Sequence, residues 1–239
     1  MALSIKGVNV LSRIIAGLSP PSLFPGGSLS FNGSDNALSV ASSADWNIGT
    51  GDFTIQWFHR QVASSGGAGR IFQFGGHPSQ FGTSFEGGSK DQFYLWLGGS
   101  SPANFTITGT LLGVWHHIAI TRQGTQLRMF QDGTLKTTVT NSTNPTLTGL
   151  PLILGKDPNA GGNTHFNGQI TNFEYVVGTA LYTAGFTPPT TPLDPASGSK
   201  LLLRATSSGT YLADSSGLDK TVSASGTAPS WSALNPFAA

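Results

Sequence analysis

From Ser28 onward, apolar residues return at every second position in short runs. Leu29 and Phe31 do so, then Leu38 and Val40, then Phe53, Ile55 and Trp57 within Phe53-Thr54-Ile55-Gln56-Trp57-Phe58-His59. A period of two marks a strand with one face turned to a core. Further runs follow at Ile71 to Phe74, Phe93 to Leu97, Phe105 to Ile107, Trp115 to Thr121, Leu127 to Gln131, Leu135 to Val139, Leu152 to Leu154 and Gly168 to Val177. Turn residues separate them, among them Asn32-Gly33 and the loop holding Gly66, Gly67 and Gly69. Asp132-Gly133 between two alternating runs predicts a tight hairpin, because both central positions of that turn favour positive φ. The pattern predicts an all-β, two-sheet antiparallel sandwich. Trp57 and Trp115 are large enough to fill the gap of roughly 10 Å between its sheets.

The two ends of the chain read differently. In residues 1–27, Ile5, Val8, Leu11, Ile14, Ile15 and Leu18 recur at steps that line one helical face, with Asn9 as a cap and Gly17 as a stop. Pro20-Pro21 and Pro25-Gly26-Gly27 then impose an extended linker. This segment is either an extra turn on the domain edge or a docking arm that buries those six residues against a neighbouring subunit. The sandwich takes residues 28–239. Within it, 188–239 starts as an extended crossing marked by Pro188, Pro189, Pro192 and Pro195. Leu201 to Leu203, Tyr211-Leu212 and Thr221 to Ala224 then read as closing strands, the alternative being a swapped or projecting tail.

Composition narrows the function. Of 239 residues only 10% are charged, against a usual ~25%, and the net charge is +1. That excludes the clustered basic footprint of a nucleic-acid binder. With no cysteine, thiol catalysis, disulfides and Cys-ligated zinc are excluded, and assembly in a reducing cytoplasm is natural. No run approaches the ~18 apolar residues of a membrane span, so no membrane insertion is expected. Asn9, Ser12 and Arg13 interrupt the N-terminal apolar stretch, which makes a poor signal peptide.

Several motifs carry a family resemblance. Gly27-Ser28-Leu29-Ser30-Phe31-Asn32-Gly33, Gly51-Asp52-Phe53-Thr54-Ile55-Gln56-Trp57, Trp115-His116-His117-Ile118-Ala119-Ile120, Gln131-Asp132-Gly133 and Phe166-Asn167-Gly168-Gln169-Ile170-Thr171-Asn172-Phe173 resemble, in order and spacing, the concanavalin A-like, laminin-G-like jelly-roll family. Val177 to Pro189, with the later Leu201-Leu202-Leu203 and Asn235-Pro236-Phe237, is similar to laminin-G-like domains of tailed-phage and other viral structural proteins. The resemblance implies a non-enzymatic virion protein, either a capsid decoration or a tail component. Such a protein is assembled in the host cytoplasm and anchored to other virion proteins through its N-terminal arm. A homo-oligomer, with a trimer favoured, is the expected state. The alternative is a carbohydrate-binding adhesin that attaches to a cell-surface glycan.

The family includes glucanases, so paired carboxylates matter. Retaining cleavage needs two carboxyl groups about 5–5.5 Å apart. The only glutamates are Glu86 and Glu174, neither with an acidic residue two or four positions away, and no catalytic residue is expected. His116 and His117 are adjacent on one strand and point to opposite faces, so one is expected packed and the other exposed. Relatives of this fold often hold calcium at one rim. In the loop Asp157-Pro158-Asn159-Ala160-Gly161-Gly162-Asn163, the residues Asp157, Asn159 and Asn163 offer oxygen ligands; the plain alternative is an Asx-turn loop. For a glycan, Tyr94 and Trp96 share one strand face while Phe93, Leu95 and Leu97 share the other. One face is buried, and the alternation leaves open which. Tyr94 and Trp96, with Asp91 and Gln92 beside them, make the better platform because their rings carry polar handles.

Overall fold

Among the described residues, fifteen short strands form two stacked antiparallel sheets, with one turn of 3-10 helix at Ala44–Trp46. The computed structural model describes residues 26–63, 69–76, 80–86, 91–159 and 164–237. The six apolar residues predicted for the arm, Ile5 to Leu18, therefore lie outside the described residues, as does Asn163.

In chain order the strands are β1 (Ser28–Asn32), β2 (Leu38–Val40), β3 (Phe53–Gln61), β4 (Phe72–Phe74), β5 (Phe81–Glu86), β6 (Gln92–Leu97), β7 (Ser100–Thr106) and β8 (Trp115–Gln123). They continue as β9 (Gln126–Gln131), β10 (Thr134–Thr140), β11 (Leu152–Leu154), β12 (Asn167–Val177), β13 (Ser199–Leu203), β14 (Val222–Ala224) and β15 (Ser230–Ser232). The first sheet runs β10-β9-β8-β3-β12-β1-β15, with β13 also paired to β12. The second runs β14-β2-β11-β4-β5-β6-β7. The architecture is the predicted two-sheet sandwich.

The alternation read from the chain places the core. Phe53, Ile55 and Trp57 of β3, Ile118 and Ile120 of β8, and Ile170, Phe173 and Tyr175 of β12 meet Phe72, Phe74, Phe81, Phe85, Phe93, Leu95 and Leu97 of the second sheet. Trp57 lies within 6.5 Å of the rings of Phe72, Phe93 and Phe173. Ile170 and Phe173 both face inward although three residues apart, because the register of β12 slips between Thr171 and Glu174. Asn172 sits there in the left-handed region (φ 51°), which a short amide side chain tolerates. Asp132 (φ 49°) and Gly133 (φ 75°) make the predicted hairpin between β9 and β10. A side chain on Gly133 would also overlap the Phe186 carbonyl, so glycine serves both the turn and the chain docked over it.

Four local expectations are corrected. Trp115 is not a core residue: it points away from the other sheet and is half-buried, and the second enclosed tryptophan is Trp46, wedged against Phe74 and Tyr175. His116 and His117 are both buried, because the first sheet is covered on its outer side as well. Tyr211-Leu212 forms a turn rather than a strand. β5 has no counterpart among the predicted runs, since Gly82, Thr83 and Ser84 dilute its alternation of Phe81 and Phe85.

Candidate functional site

The outer face of the first sheet is closed by the chain itself. After β12, residues 178–196 cross back over β3 and β8. Thr54 Oγ1 donates to the Thr179 carbonyl (2.9 Å) and accepts from the Leu181 N–H (2.8 Å). Thr121 Oγ1 donates to the Tyr182 carbonyl (2.7 Å), and the Leu193 N–H donates to Asn172 Oδ1 (2.7 Å). Phe237 then packs on Phe58 at 5.1 Å. The outward residues Thr54, Gln56, Phe58 and His117 are buried as a result.

Beneath this cover lies a polar network. Gln56 Nε2 donates to Glu174 Oε2 (2.8 Å), and the Ala196 N–H donates to Glu174 Oε1 (2.8 Å). Gln56 Oε1 accepts from Tyr182 Oη (2.9 Å) and from His117 Nε2 (3.1 Å). That bond assigns the His117 proton to Nε2. Burial holds His117 neutral, its pKa pushed down to about 4, and pushes the Tyr182 hydroxyl up to about 12, helped by the Glu174 charge. Glu174 thus spends one oxygen on the crossing and the other on Gln56 of β3.

On the core side of the same strands, His59 is fully enclosed and burial, reinforced by the nearby His116 charge, lowers it to about 3. His116 is the opposite case. Burial would lower it, but Nδ1 meets Asp132 Oδ2 at 2.7 Å and Nε2 meets the Thr110 carbonyl at 3.0 Å. These two hydrogen bonds and the Asp132 charge outweigh burial and raise its pKa above the usual histidine value.

The outer face of the second sheet is different in kind. Phe93, Leu95 and Leu97 take the core side of β6, which turns Tyr94 and Trp96 outward, both half-buried. Their rings lie 6.4 Å apart with planes at 23°. Trp96 Nε1 donates to Ser84 Oγ (2.9 Å), which donates to Glu86 Oε1 (2.7 Å); Tyr94 Oη donates to Gln92 Oε1 (3.0 Å). Each ring is therefore held by its polar end. The directly opposite partner of Trp96 on β5 is Gly82, so no side chain stands across from it at that position. On the other side Tyr94 pairs with Asn104 of β7. Gln92 is exposed at the start of β6, and Asp91 just before it accepts the Ile107 N–H through its carbonyl (2.8 Å). Ser84 and Asn104 were not singled out in the sequence, and Glu86 only as a carboxylate without an acidic neighbour; the signal for Ser84 and Glu86 was the Phe81/Phe85 alternation of β5.

The loop considered for calcium adjoins this face. Arg70 Nη1 lies 3.3 Å from Glu86 Oε1 and Nη2 lies 3.9 Å from Asp157 Oδ2. Asp157 Oδ1 accepts the Asn159 N–H (2.9 Å), an Asx turn. Arg70 thus stands between Glu86 and Asp157, and among the described residues no three His, Cys, Asp or Glu side chains converge. Glu86 and Glu174 sit on different sheets, each engaged as above, so the described residues hold no glucanase-type pair on one strand face.

Comparison with known proteins agrees with this architecture. No curated protein matches the chain. Among solved structures, it is similar to a putative carbohydrate binding protein from Bacteroides ovatus, with a TM-score of 0.61 and 14% identity over 89% of this chain and 63% of that one. It is also similar to the heptameric SAP-like pentraxin of Limulus polyphemus, with a TM-score of 0.52 and 16% identity over 66% of this chain and 79% of that one. At such identities these likenesses concern the fold alone. The family model described as the concanavalin A-like lectin/glucanases superfamily matches residues 32–179, from the end of β1 through β12 and both outer faces. The chain belongs to that superfamily.

Proposed function

We propose that this chain is a non-enzymatic, lectin-like attachment module that holds a carbohydrate against the outer face of β5, β6 and β7. The observation that carries this reading is the pair Tyr94 and Trp96, outward, near-parallel and tied at their polar ends. An apolar sugar face packs on such rings while its hydroxyls meet nearby amide and hydroxyl groups, here Gln92, Ser84 and Asn104. Rings already fixed by hydrogen bonds lose little entropy on binding. On a glycan array, the protein should bind a defined subset, and Trp96→Ala should lower that binding by about tenfold or more, some 1.4 kcal/mol. An array without hits, or unchanged binding by Trp96→Ala, would dismiss the platform.

The module's setting is proposed from the sequence. The likeness of Val177 to Pro189 to tailed-phage laminin-G-like domains supports a virion component, in capsid or tail, with residues 1–27 as the arm that docks it and a trimer as its form. Low charge fits such packing, since few ions need desolvation at a shared surface. Mass spectrometry of purified particles tests this. Deleting residues 1–27 should leave a folded sandwich absent from particles, and normal incorporation of the truncated chain would refute the arm.

A further inference from the structure

At its far end, beyond the crossing, the outer face of the first sheet carries a second constellation. Trp115, Arg60, Gln169, Ser30 and Ser230 are successive cross-strand partners on β8, β3, β12, β1 and β15. Their inward neighbours His59, Ile170 and Leu29 are enclosed in the core, so all five side chains share the outer face. Four strand spacings make a row of roughly 19 Å. Trp115, Arg60 and Ser30 are half-buried, Ser230 is exposed, and Gln169, buried between them, braces the row from beneath.

The row is internally braced. Arg60 Nε donates to the Gly113 carbonyl (2.9 Å) and Nη1 donates to Gln169 Oε1 (3.1 Å), while Gln169 Nε2 donates to Ser30 Oγ (3.3 Å). Arg60 forms no ion pair among the described residues, unlike Arg70 and Arg204. A guanidinium has five N–H donors. Two are spent on neutral oxygens, and these fix its plane without cancelling its charge. Trp115 is its cross-strand partner, and Leu112 and Val114, exposed, flank the Gly113 that Arg60 bonds.

The geometry points to a binding row for an acidic saccharide, one bearing a hexuronate or sialate carboxylate. The carboxylate meets Arg60, the sugar ring packs on Trp115, and hydroxyls run along Gln169, Ser30 and Ser230. A preset fork without an acidic partner selects a planar anion, since carboxylate geometry matches it. A tryptophan beside it supplies the apolar contact that a bare anion site lacks. This row lies on the sheet opposite Tyr94 and Trp96 and stands independently of the glycan reading of that face.

The test is calorimetric titration of the full chain with a galacturonate tetramer and, separately, a galactose tetramer. The acidic tetramer should bind at least tenfold tighter. Arg60→Gln should bring the two affinities together, Arg60→Lys should retain part of the preference, and Trp115→Ala should weaken the acidic tetramer. Trp96→Ala should keep the acidic preference, which separates this row from the opposite face. Melting curves identify any variant that fails to fold, and Arg60→Lys then stands in for Arg60→Gln. Equal affinity for the two tetramers, a preference that survives in Arg60→Gln, or one lost in Trp96→Ala would each overturn the assignment. A tetraglutamate peptide that binds as tightly as the galacturonate tetramer would overturn the saccharide class.

Discussion

On β3 the outward residues Thr54, Gln56 and Phe58 lie sealed beneath residues 178–196 and Phe237, whereas on β6 the outward Tyr94 and Trp96 remain half-exposed. Both strands alternate in the same way and both turn polar or aromatic groups away from the core. What differs is whether a later part of the chain returns across them. Under the cover, buried polar groups turn to partners inside the protein, and Gln56, Glu174, His117 and Tyr182 become one network. In the open, the same kinds of group keep capacity for a ligand. A face of a sandwich is thus structural or available according to what lies on top of it.

The contrast can be broken by mutation. Phe58→Ala should have the largest effect, a loss of about 3–5 kcal/mol in chemical denaturation, because it empties a site packed by Phe237 and His117. If Phe58→Ala instead behaved like a surface change, the crossing would not seal the sheet.

Acid should reveal the sealed side next. His59 and His117 stay neutral in the fold down to about 3 and about 4, while the unfolded chain protonates them near 6.5. Unfolding therefore takes up protons, and stability should fall as pH drops below about 6.5, by up to about 1.4 kcal/mol per pH unit for each histidine. His116 works with the opposite sign. Its raised value adds stability that is complete below the unfolded value and is lost as pH rises through its folded value. Urea midpoints from pH 4 to 9 should pass through a maximum, with the acid limb shallower in His117→Gln. A flat profile would contradict this arrangement.

Gln56→Ala should cost about 1–3 kcal/mol by leaving Glu174 and Tyr182 short of a partner. Trp96→Ala should sharpen the comparison with the smallest change in stability, within about 0.5 kcal/mol, while weakening glycan binding on that face by about tenfold or more. A large loss of stability there would mean that the indole is a packing residue.

Much of the fold was legible because strand periodicity is a local property. Phe53, Ile55 and Trp57 announced a core face, and Asp132-Gly133 announced its hairpin, each within a few residues. Trp115 misled because size and apolarity do not state direction; its place on β8, opposite Arg60 rather than His59, does. Trp46 was overlooked because it sits in a single 3-10 turn with no period to mark it. The pairing of His116 and His117 showed that they point to opposite sides, yet both sides proved to be interior. For the candidate site, Tyr94 and Trp96 could be grouped from spacing alone, while Ser84 and Glu86 emerged only when β5 paired with β6.

Alternation along the chain determined that this protein is a two-layer β structure and which residues could share a face, since steric and hydrophobic preferences act over neighbouring positions. Tertiary structure alone decided which outer face is closed and which stays open. The contacts that close it join Thr54 to Thr179 and Gln56 to Tyr182, more than a hundred residues apart. It also decided that Trp115, Arg60, Gln169, Ser30 and Ser230 stand in one row, because five separate strands must pair in register before those side chains become neighbours.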